Sequence, residues 1–408
     1  MHETSDVQIN KQTYQYCEWP TDVVSINHYR IDTFDTNTEP NHINSTNEGK
    51  EFSRSIIVPH TIFMFIPGNP GCVGWYIDML CTIVKQLGAG YAARAVSYAG
   101  HGVGENIVSS NAHCNDNIPG DDNCNSNRNS NRNVNRRQRK SRIAHTVDGQ
   151  VEHKIEWTDC IVSEMISITN KRSTSDKMNT GTHGFPFKFV FLTHSIGSHL
   201  VQRMMLLRKD FLLQTKLIIH LTPFIRFDPT SSWTKNTLST IANSPQISIS
   251  VLKAMAAFVS CLPPKLVDLY LEKVANIPHE KDRKLARELY SQTKYAQNFL
   301  ELGTEEIREI PEIYDYAALR LIGESCPINI LYCRQDHWAP LSHMNDIKES
   351  QKSNLIPKSI SVEYNDQLLH GFVVYPEMIT PVVDFVLKSV KNIITTSPDQ
   401  MQMIRSNL

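Results

Sequence analysis

Short apolar runs alternate with longer segments of helical pattern along most of the chain. Six runs are predicted strands: residues 62–66, 93–98, 187–192, 217–221, 328–333 and 360–364, of which 62–66 has the composition of a buried strand. Apolar positions at helical spacing are clearest in residues 76–87, 151–166, 198–207 and 381–391. Because strands that alternate with helices form a mostly parallel sheet covered by helices on both faces, the pattern predicts an α/β fold.

One block interrupts this alternation. Residues 228–325 have a mainly helical pattern and separate the predicted strands 217–221 and 328–333. We predict that this block is a helical lid inserted between two strands of the sheet. The α/β core then consists of residues 56–227 and 326–395.

Polar stretches flank and interrupt the predicted core. Residues 1–55 are polar and contain short β-like pieces, which are possible first strands of the sheet. Residues 103–145 are rich in Asn, Ser and Arg and cannot bury enough apolar surface to become ordered, which predicts a disordered insertion. Its basic cluster at 136–142 fits a solvated insertion better than a localisation signal or a contact with an anionic surface. Residues 396–408 form a tail.

Composition and charge narrow the class of protein. The chain has 408 residues, of which 40% are hydrophobic, and a formal net charge of -1. This content allows a substantial core, and the net charge gives no reason to expect nucleic acid or an anionic membrane as a partner. The nine cysteines are scattered without a CxxC pair, so neither a disulfide framework nor a metal site is expected, and a reducing compartment is favoured. No signal peptide, spanning helix or cofactor is expected, and the oligomeric state stays open.

The strongest chemical motif is Thr-His-Ser-Ile-Gly at residues 193–197, between a predicted strand and a predicted helix. A strand, a sharp turn and a helix are the context of a nucleophile elbow, which would expose the hydroxyl of Ser195. Gly197 supplies the small residue expected two positions after the serine. Thr193 replaces the usual glycine two positions before it and, being β-branched, disfavours a positive φ. The alternative is an ordinary strand-to-helix turn with a capping serine.

A serine nucleophile needs a base and an orienting carboxylate, which follow it along the chain in the order acid, then histidine. Asp336 comes directly after the predicted strand 328–333, and His370 lies in the loop after the last predicted strand. We therefore predict that His370 takes the proton of Ser195 and that Asp336 orients the imidazole. Weaker alternatives are Asp366 for the acid and His194, His199, His337 and His343 for the base.

Acyl transfer also needs two N–H donors for the oxyanion. We predict that the backbone N–H of Ile196, directly after the nucleophile, is one donor and that the loop after an early strand supplies the other. Residues 67–70 occupy that place, and Pro70 has no N–H. Asn69 is therefore the first choice and Gly68 the second, although a plain tight turn explains the same residues. Four elements in this order, each at a strand end, predict a serine hydrolase.

Several further segments extend the pattern beyond the serine motif: residues 65–71, 97–101, 149–154, 193–199 and 221–223. Together they make the chain similar to the lipid droplet-associated hydrolase family over about residues 60–375. The resemblance implies an α/β-hydrolase fold with a Ser-Asp-His triad, lipid droplets and the cytosolic face of the endoplasmic reticulum as location, and sterol esters or acylglycerols as substrates. The chain differs in its long insertion after His101 and in a lid without a matching motif.

The lid carries an apolar segment at residues 247–262, which ends at two prolines and is followed by a second apolar segment at 266–271. Such segments predict either interfacial helices in a phospholipid monolayer or lid helices over an acyl pocket. The expected partners are a lipid ester substrate and a lipid droplet monolayer or endoplasmic reticulum surface. A lipid-surface interaction protein with weak or vestigial activity is the main alternative, and a thioesterase or acyltransferase with the same triad stays open.

Overall fold

The computed structural model describes residues 5–16, 19–32, 53–102, 107–108, 146–173, 187–229 and 245–395. The predicted tail at 396–408 lies outside the described residues. Of the predicted insertion at 103–145, the structure describes only Ile107–Val108, which form a short strand.

The described strands form one sheet in the order β10-β9-β8-β7-β4-β5-β2-β1-β6, with β3 paired to β2. Their bounds are β1 Ser5–Tyr16, β2 Trp19–Asp32, β3 Ser53–Ile56, β4 Thr61–Ile66, β5 Tyr91–Val96, β6 Ile107–Val108, β7 Lys188–His194, β8 Thr215–Leu221, β9 Ile328–Cys333 and β10 Ile360–Asn365. Strands β10, β9, β8, β7, β4 and β5 are mutually parallel, whereas β2 is antiparallel to β5 and β1. Every residue of β4 and β5 is buried, which explains their almost continuous apolar sequence.

Helices cover both faces of the sheet. Their bounds are α1 Ile77–Leu87, α2 Val147–Ser173, α3 Gly197–Leu207, α4 Lys209–Gln214, α5 Pro245–Cys261, α6 Pro264–Lys273, α7 Glu280–Tyr290, α8 Thr293–Glu309, α9 Tyr316–Ser325, α10 Leu341–Lys352 and α11 Pro376–Thr395. Side chains of β4 point alternately to the two faces, so Phe63 and Phe65 pack with α1 and α11, while Met64 packs with α2, α3 and α9. The predicted last helix, 381–391, was too short, because α11 begins at Pro376, where the missing N–H costs no hydrogen bond.

The predicted lid block contains helices α5 to α9, between β8 and β9. Helix α9 packs against the core, and α8 contacts the loops after β4 and β5, at the carboxyl ends of these strands. Helices α6 and α7 pack together against Trp75. Among the described residues, no helix is both long enough and apolar enough to cross a bilayer. The insertion therefore places helical surface directly above the edge of the sheet that carries the candidate chemistry.

Candidate active site

Ser195 occupies the turn between β7 and α3 with a positive φ of 52°. Thr193, whose preference against a positive φ weakened the motif match, lies within strand β7, and the left-handed conformation falls on the serine instead. Gly197 is required by space, since a Cβ there would lie 2.5 Å from the carbonyl oxygen of Ile66. The local chain thus has the sharp strand-to-helix geometry that exposes a serine hydroxyl.

The Thr193 side chain holds this turn by hydrogen bonds. Its Oγ1 atom lies 2.9 Å from Ser198 Oγ and 2.7 Å from His220 Nδ1. Burial lowers the pKa of His220 to about 3, so the ring is neutral. The threonine thus joins the start of α3 to β8, a contact that a glycine at this position could not make.

Three predicted side chains, distant along the chain, meet at this turn. His370 Nε2 lies 2.9 Å from Ser195 Oγ, and His370 Nδ1 lies 2.8 Å from Asp336 Oδ2. A carboxylate can only accept a hydrogen bond, so the Nδ1–H of His370 donates to Asp336. Nε2 is then free to accept the serine proton.

Asp336 is held in its ionised form. Burial alone would raise its pKa, but His370 and the backbone N–H groups of Ala339 and Trp338 outweigh burial and lower it. Trp338 N donates to Asp336 Oδ1 over 2.8 Å and Ala339 N over 3.0 Å. The thiol of Cys333 lies 3.4 Å from Oδ2. These donors fix the carboxylate that faces the imidazole.

The weaker candidates lie elsewhere. Asp366 and His337 are exposed, and His343 is buried beside Tyr314. His199 is buried on α3, and burial lowers its pKa to about 4. His194 contacts His370 rather than the serine hydroxyl. Within the described part of the chain, no group of three or more His, Cys, Asp or Glu side chains is placed to hold a metal ion.

The candidate oxyanion donors flank the serine. A Cβ on Gly68 would lie 2.8 Å from Ser195 Cβ, so the loop after β4 packs directly on the elbow. Asn69 points its side-chain amide away, donating to the carbonyl oxygen of Phe299 on α8 over 3.1 Å. The Gly68 N–H faces the Tyr76 hydroxyl. In the described residues, the N–H groups of Ile196 and Asn69 make no backbone hydrogen bond, as the predicted donor role requires.

The loop of residues 67–71 is held from two sides. Tyr98 donates from its hydroxyl to the carbonyl oxygen of Pro67 over 2.6 Å, and its backbone N–H donates to Gly71 over 2.8 Å. His101 Nδ1 lies 2.6 Å from the carbonyl oxygen of Pro70. Tyr295, from lid helix α8, donates to the same oxygen over 3.2 Å. The candidate oxyanion loop is therefore attached to both the core and the lid.

A second layer supports the loop after β5. The Gln150 side chain pairs with both backbone groups of Ala99, at 3.1 and 3.2 Å. The fully buried Lys154 donates to the carbonyl oxygen of Ser97 over 2.9 Å and lies 3.0 Å from His153 Nδ1. In the sequence, residues 149–154 stand out only by their resemblance to the family. The i, i+3, i+4 spacing of Gln150, His153 and Lys154 puts all three on one helix face and was the available signal.

Glu306 is a second group that sequence analysis missed. It lies on α8, is buried, and its Oε1 atom has no hydrogen-bond partner among the described residues. Burial raises the pKa of this carboxyl to about 8, against a smaller opposing effect of the Asn69 side chain. A protonated carboxyl therefore lies next to the candidate oxyanion loop.

Fold and site together define an α/β-hydrolase with a helical lid. The chain belongs to the lipid-droplet associated hydrolase family, whose sequence model matches residues 59–373. No curated protein sequence matches the chain significantly.

Solved structures are similar in fold. A peroxisomal alpha-beta-hydrolase from Saccharomyces cerevisiae aligns with a TM-score of 0.51 at 10% identity, over 97% of this chain and 91% of that chain. An epoxide hydrolase from Vigna radiata aligns with a TM-score of 0.49 at 12% identity, over 94% of this chain and 98% of that chain. The first of these supports the fold and leaves the substrate open.

Proposed function

We propose that the chain is a serine carboxylic-ester hydrolase that acts on lipid esters, either sterol esters or acylglycerols. Ser195 is the nucleophile, His370 the general base and Asp336 the orienting acid. The supporting observation is the continuous hydrogen-bonded relay from Asp336 through His370 to Ser195, with distances of 2.8 and 2.9 Å. A relay of this kind activates a hydroxyl whose own pKa is far too high for attack at neutral pH.

In this mechanism, His370 Nε2 takes the proton as Ser195 Oγ attacks the ester carbonyl carbon. The backbone N–H groups of Ile196 and Asn69 stabilise the oxyanion, and Asp336 stabilises the imidazolium. The imidazolium then gives its proton to the departing alcohol, which leaves an acyl-enzyme. Water, deprotonated by His370, attacks the acyl-enzyme and releases the fatty acid with Ser195 restored.

Covalent labelling with a fluorophosphonate probe tests the nucleophile. We expect wild-type protein to be labelled and Ser195→Ala to be unlabelled, with ester turnover lower by roughly three or more orders of magnitude. Ser198→Ala is a matched control, because Ser198 lies on the same elbow but its hydroxyl is paired with Thr193. Labelling that persists in Ser195→Ala would remove Ser195 as the nucleophile.

The substrate class is proposed from the family and from the lid over the site. A panel of esters of increasing acyl length, measured with and without an emulsion interface, tests it. We expect long-chain esters to be hydrolysed faster at the interface, while short soluble esters gain little. Thioesters and alcohol acceptors in the same panel separate a thioesterase or an acyltransferase from an ester hydrolase, since the same triad serves all three.

The proposed partner is the phospholipid monolayer of a lipid droplet or the cytosolic face of the endoplasmic reticulum. Helix α5 exposes Ile247, Val251, Met255 and Phe258 to solvent, each more than half exposed. Their spacing puts them along one face of the helix. The only charged residue of α5 is Lys253, so the helix carries no acidic group that would repel an anionic lipid surface.

The same surface favours a second candidate, a lipid-surface interaction protein with weak or vestigial hydrolysis. The two functions give different outcomes in droplet-binding and turnover assays. If surface binding is the main function, droplet association survives Ser195→Ala and is lost when residues 247–271 are replaced, while wild-type turnover of every ester in the panel stays near background.

A further inference from the structure

His194, directly before the candidate nucleophile, links two loops of the site. It is 5% exposed, and both ring nitrogens have partners. Nδ1 lies 2.8 Å from the Tyr76 hydroxyl oxygen, and Nε2 lies 2.8 Å from the carbonyl oxygen of His370. The ring also packs edge-on against Phe372, two residues after His370, with 5.1 Å between ring centroids.

These contacts determine which nitrogen carries the proton. Burial, and then the neighbouring His370, lower the pKa of His194 to about 3, so the ring is neutral and has a single N–H. A backbone carbonyl can only accept, so Nε2–H donates to His370. Nδ1 is then the acceptor, and the Tyr76 hydroxyl, whose pKa burial raises, is the donor.

The bond from His194 reaches the loop that carries His370. Around this residue, backbone hydrogen bonds run from Arg334 N to the carbonyl oxygen of Leu368, from Phe372 N to that of Leu369 and from Val374 N to that of Gly371, and among the described residues none of these is made to His370 itself. The bond from His194 is made to the backbone of His370 itself. It therefore restrains the point from which the imidazole extends towards Ser195.

The other side of the ring meets the oxyanion loop. A Cβ on Gly68 would lie 2.8 Å from His194 Nδ1, so glycine allows this loop to pack against the ring. Tyr76, which follows the same loop, supplies the donor that selects the tautomer. One neutral imidazole thus contacts both the loop of the base and the loop that carries Asn69.

We propose that His194 is a positioning residue, which holds the backbone of His370 so that its Nε2 faces Ser195 Oγ, and that Tyr76 selects the tautomer that makes this possible. His194 transfers no proton, because both of its nitrogens are occupied by partners other than the serine. The proposal rests on the proposed function, since it takes Ser195 and His370 as the reacting pair.

The test compares His194→Phe, His194→Gln and Tyr76→Phe with wild type, using a soluble short-chain p-nitrophenyl ester and the fluorophosphonate probe. We expect His194→Phe to lower kcat 10- to 100-fold with KM within twofold, and to slow labelling in parallel. The amide nitrogen of Gln occupies a position similar to that of His Nε2, so His194→Gln should recover most of kcat. Tyr76→Phe should lower kcat 3- to 10-fold, because the tautomer is no longer selected.

Thermal melting separates positioning from loss of fold. The proposal is overturned if His194→Phe melts within a few degrees of wild type and keeps wild-type kcat. It is also overturned if His194→Gln loses as much kcat as His194→Phe. If His194→Phe does not fold, Tyr76→Phe decides, and an unchanged kcat there overturns it. Wild-type protein that is not labelled at Ser195 would instead overturn the proposed function, and this proposal with it.

Discussion

Tyr98 and Pro67, which lie just beyond the ends of the neighbouring strands β5 and β4, are joined by a 2.6 Å hydrogen bond from the tyrosine hydroxyl to the proline carbonyl oxygen. Both residues are buried, and Pro67 directly precedes Gly68 and Asn69. The bond therefore fixes the start of the loop that holds the proposed oxyanion donor. Its energetic effect is modest, whereas its effect on donor position is direct.

Removing this bond should reduce activity more than stability. For Tyr98→Phe we expect a loss of about 1 kcal/mol in the free energy of unfolding and a fall in kcat of roughly tenfold, because the loop can shift while the core stays packed. Denaturant unfolding and short-ester kinetics measure the two effects. Tyr91→Phe, at the start of β5 and far from the site, is the control and should keep wild-type kcat. Equal kcat in both variants would contradict the prediction.

Lys154 should stabilise the fold although its amine is buried. Its amine donates to Ser97, and burial lowers its pKa well below the ordinary value of 10.5. Lys154→Met keeps much of the volume but leaves the Ser97 carbonyl oxygen without this donor, so we expect a loss of about 1–3 kcal/mol in denaturant unfolding. Lys85→Met, at an exposed position of α1, should change stability by less than about 0.5 kcal/mol. If Lys154→Met also changes the free energy of unfolding by less than about 0.5 kcal/mol, the buried amine does not stabilise the fold.

Replacing Thr193 by the usual glycine should destabilise the elbow. The positive φ lies at Ser195, so glycine at position 193 relieves no strain, and it removes the bonds to Ser198 and His220. We expect Thr193→Gly to lower the free energy of unfolding by about 2–3 kcal/mol, and Thr193→Ser, which keeps the hydroxyl, by about half as much. An increase in melting temperature for Thr193→Gly would show that the threonine is a strained substitute.

These residues illustrate what the sequence could predict. The six apolar runs match strands of the sheet to within two residues at each end. Five of them are mostly buried parallel strands, which are largely apolar, whereas β10, at the edge of the sheet, is mostly half-buried or exposed. The proximity of Ser195, Asp336 and His370 was predictable from chain order, since the carboxyl ends of parallel strands meet at one edge.

Contacts that depend on side-chain direction were not predictable from order or composition. The tautomer of His194 follows from a backbone carbonyl that is distant along the chain, and the bond between Tyr98 and Pro67 depends on how two loops pack. Thr193 shows the opposite failure. A rule about a preferred residue counted the threonine against the motif, whereas the positive φ lies two residues later, at Ser195, and the threonine hydroxyl serves as a link.

Glu306 should make stability depend on pH between about 4.5 and 8. Its pKa is raised from the ordinary value of 4.5 to about 8, chiefly by burial, so the folded protein keeps a proton that the unfolded chain releases. Stability from this group is therefore fully present below pH 4.5 and is lost as pH rises towards 8. Glu306→Gln stays neutral, so wild type should lose roughly 2–5 °C in melting temperature relative to this variant across the window.

The control for this pH dependence is Glu309→Gln, at an exposed position of the same helix. Its melting temperature should follow that of wild type at every pH. If the difference in melting temperature between wild type and Glu306→Gln stays constant from pH 4.5 to 8, the pKa of the Glu306 carboxyl is not raised by its burial.

The exposed apolar face of α5 should determine binding to lipid surfaces independently of the triad. We expect a combined Val251→Ser, Met255→Ser and Phe258→Ser variant to bind phospholipid-coated triacylglycerol droplets at least tenfold more weakly in flotation, because each inserted side chain contributes about 1 kcal/mol or more. Leu206→Ser, Leu207→Ser and Leu213→Ser remove three exposed apolar side chains on another part of the surface and should leave binding unchanged. Both variants should hydrolyse a soluble short ester at the wild-type rate, since neither changes the site. Equal loss of droplet binding in the two variants would mean that general surface hydrophobicity, rather than the face of α5, holds the protein at the lipid.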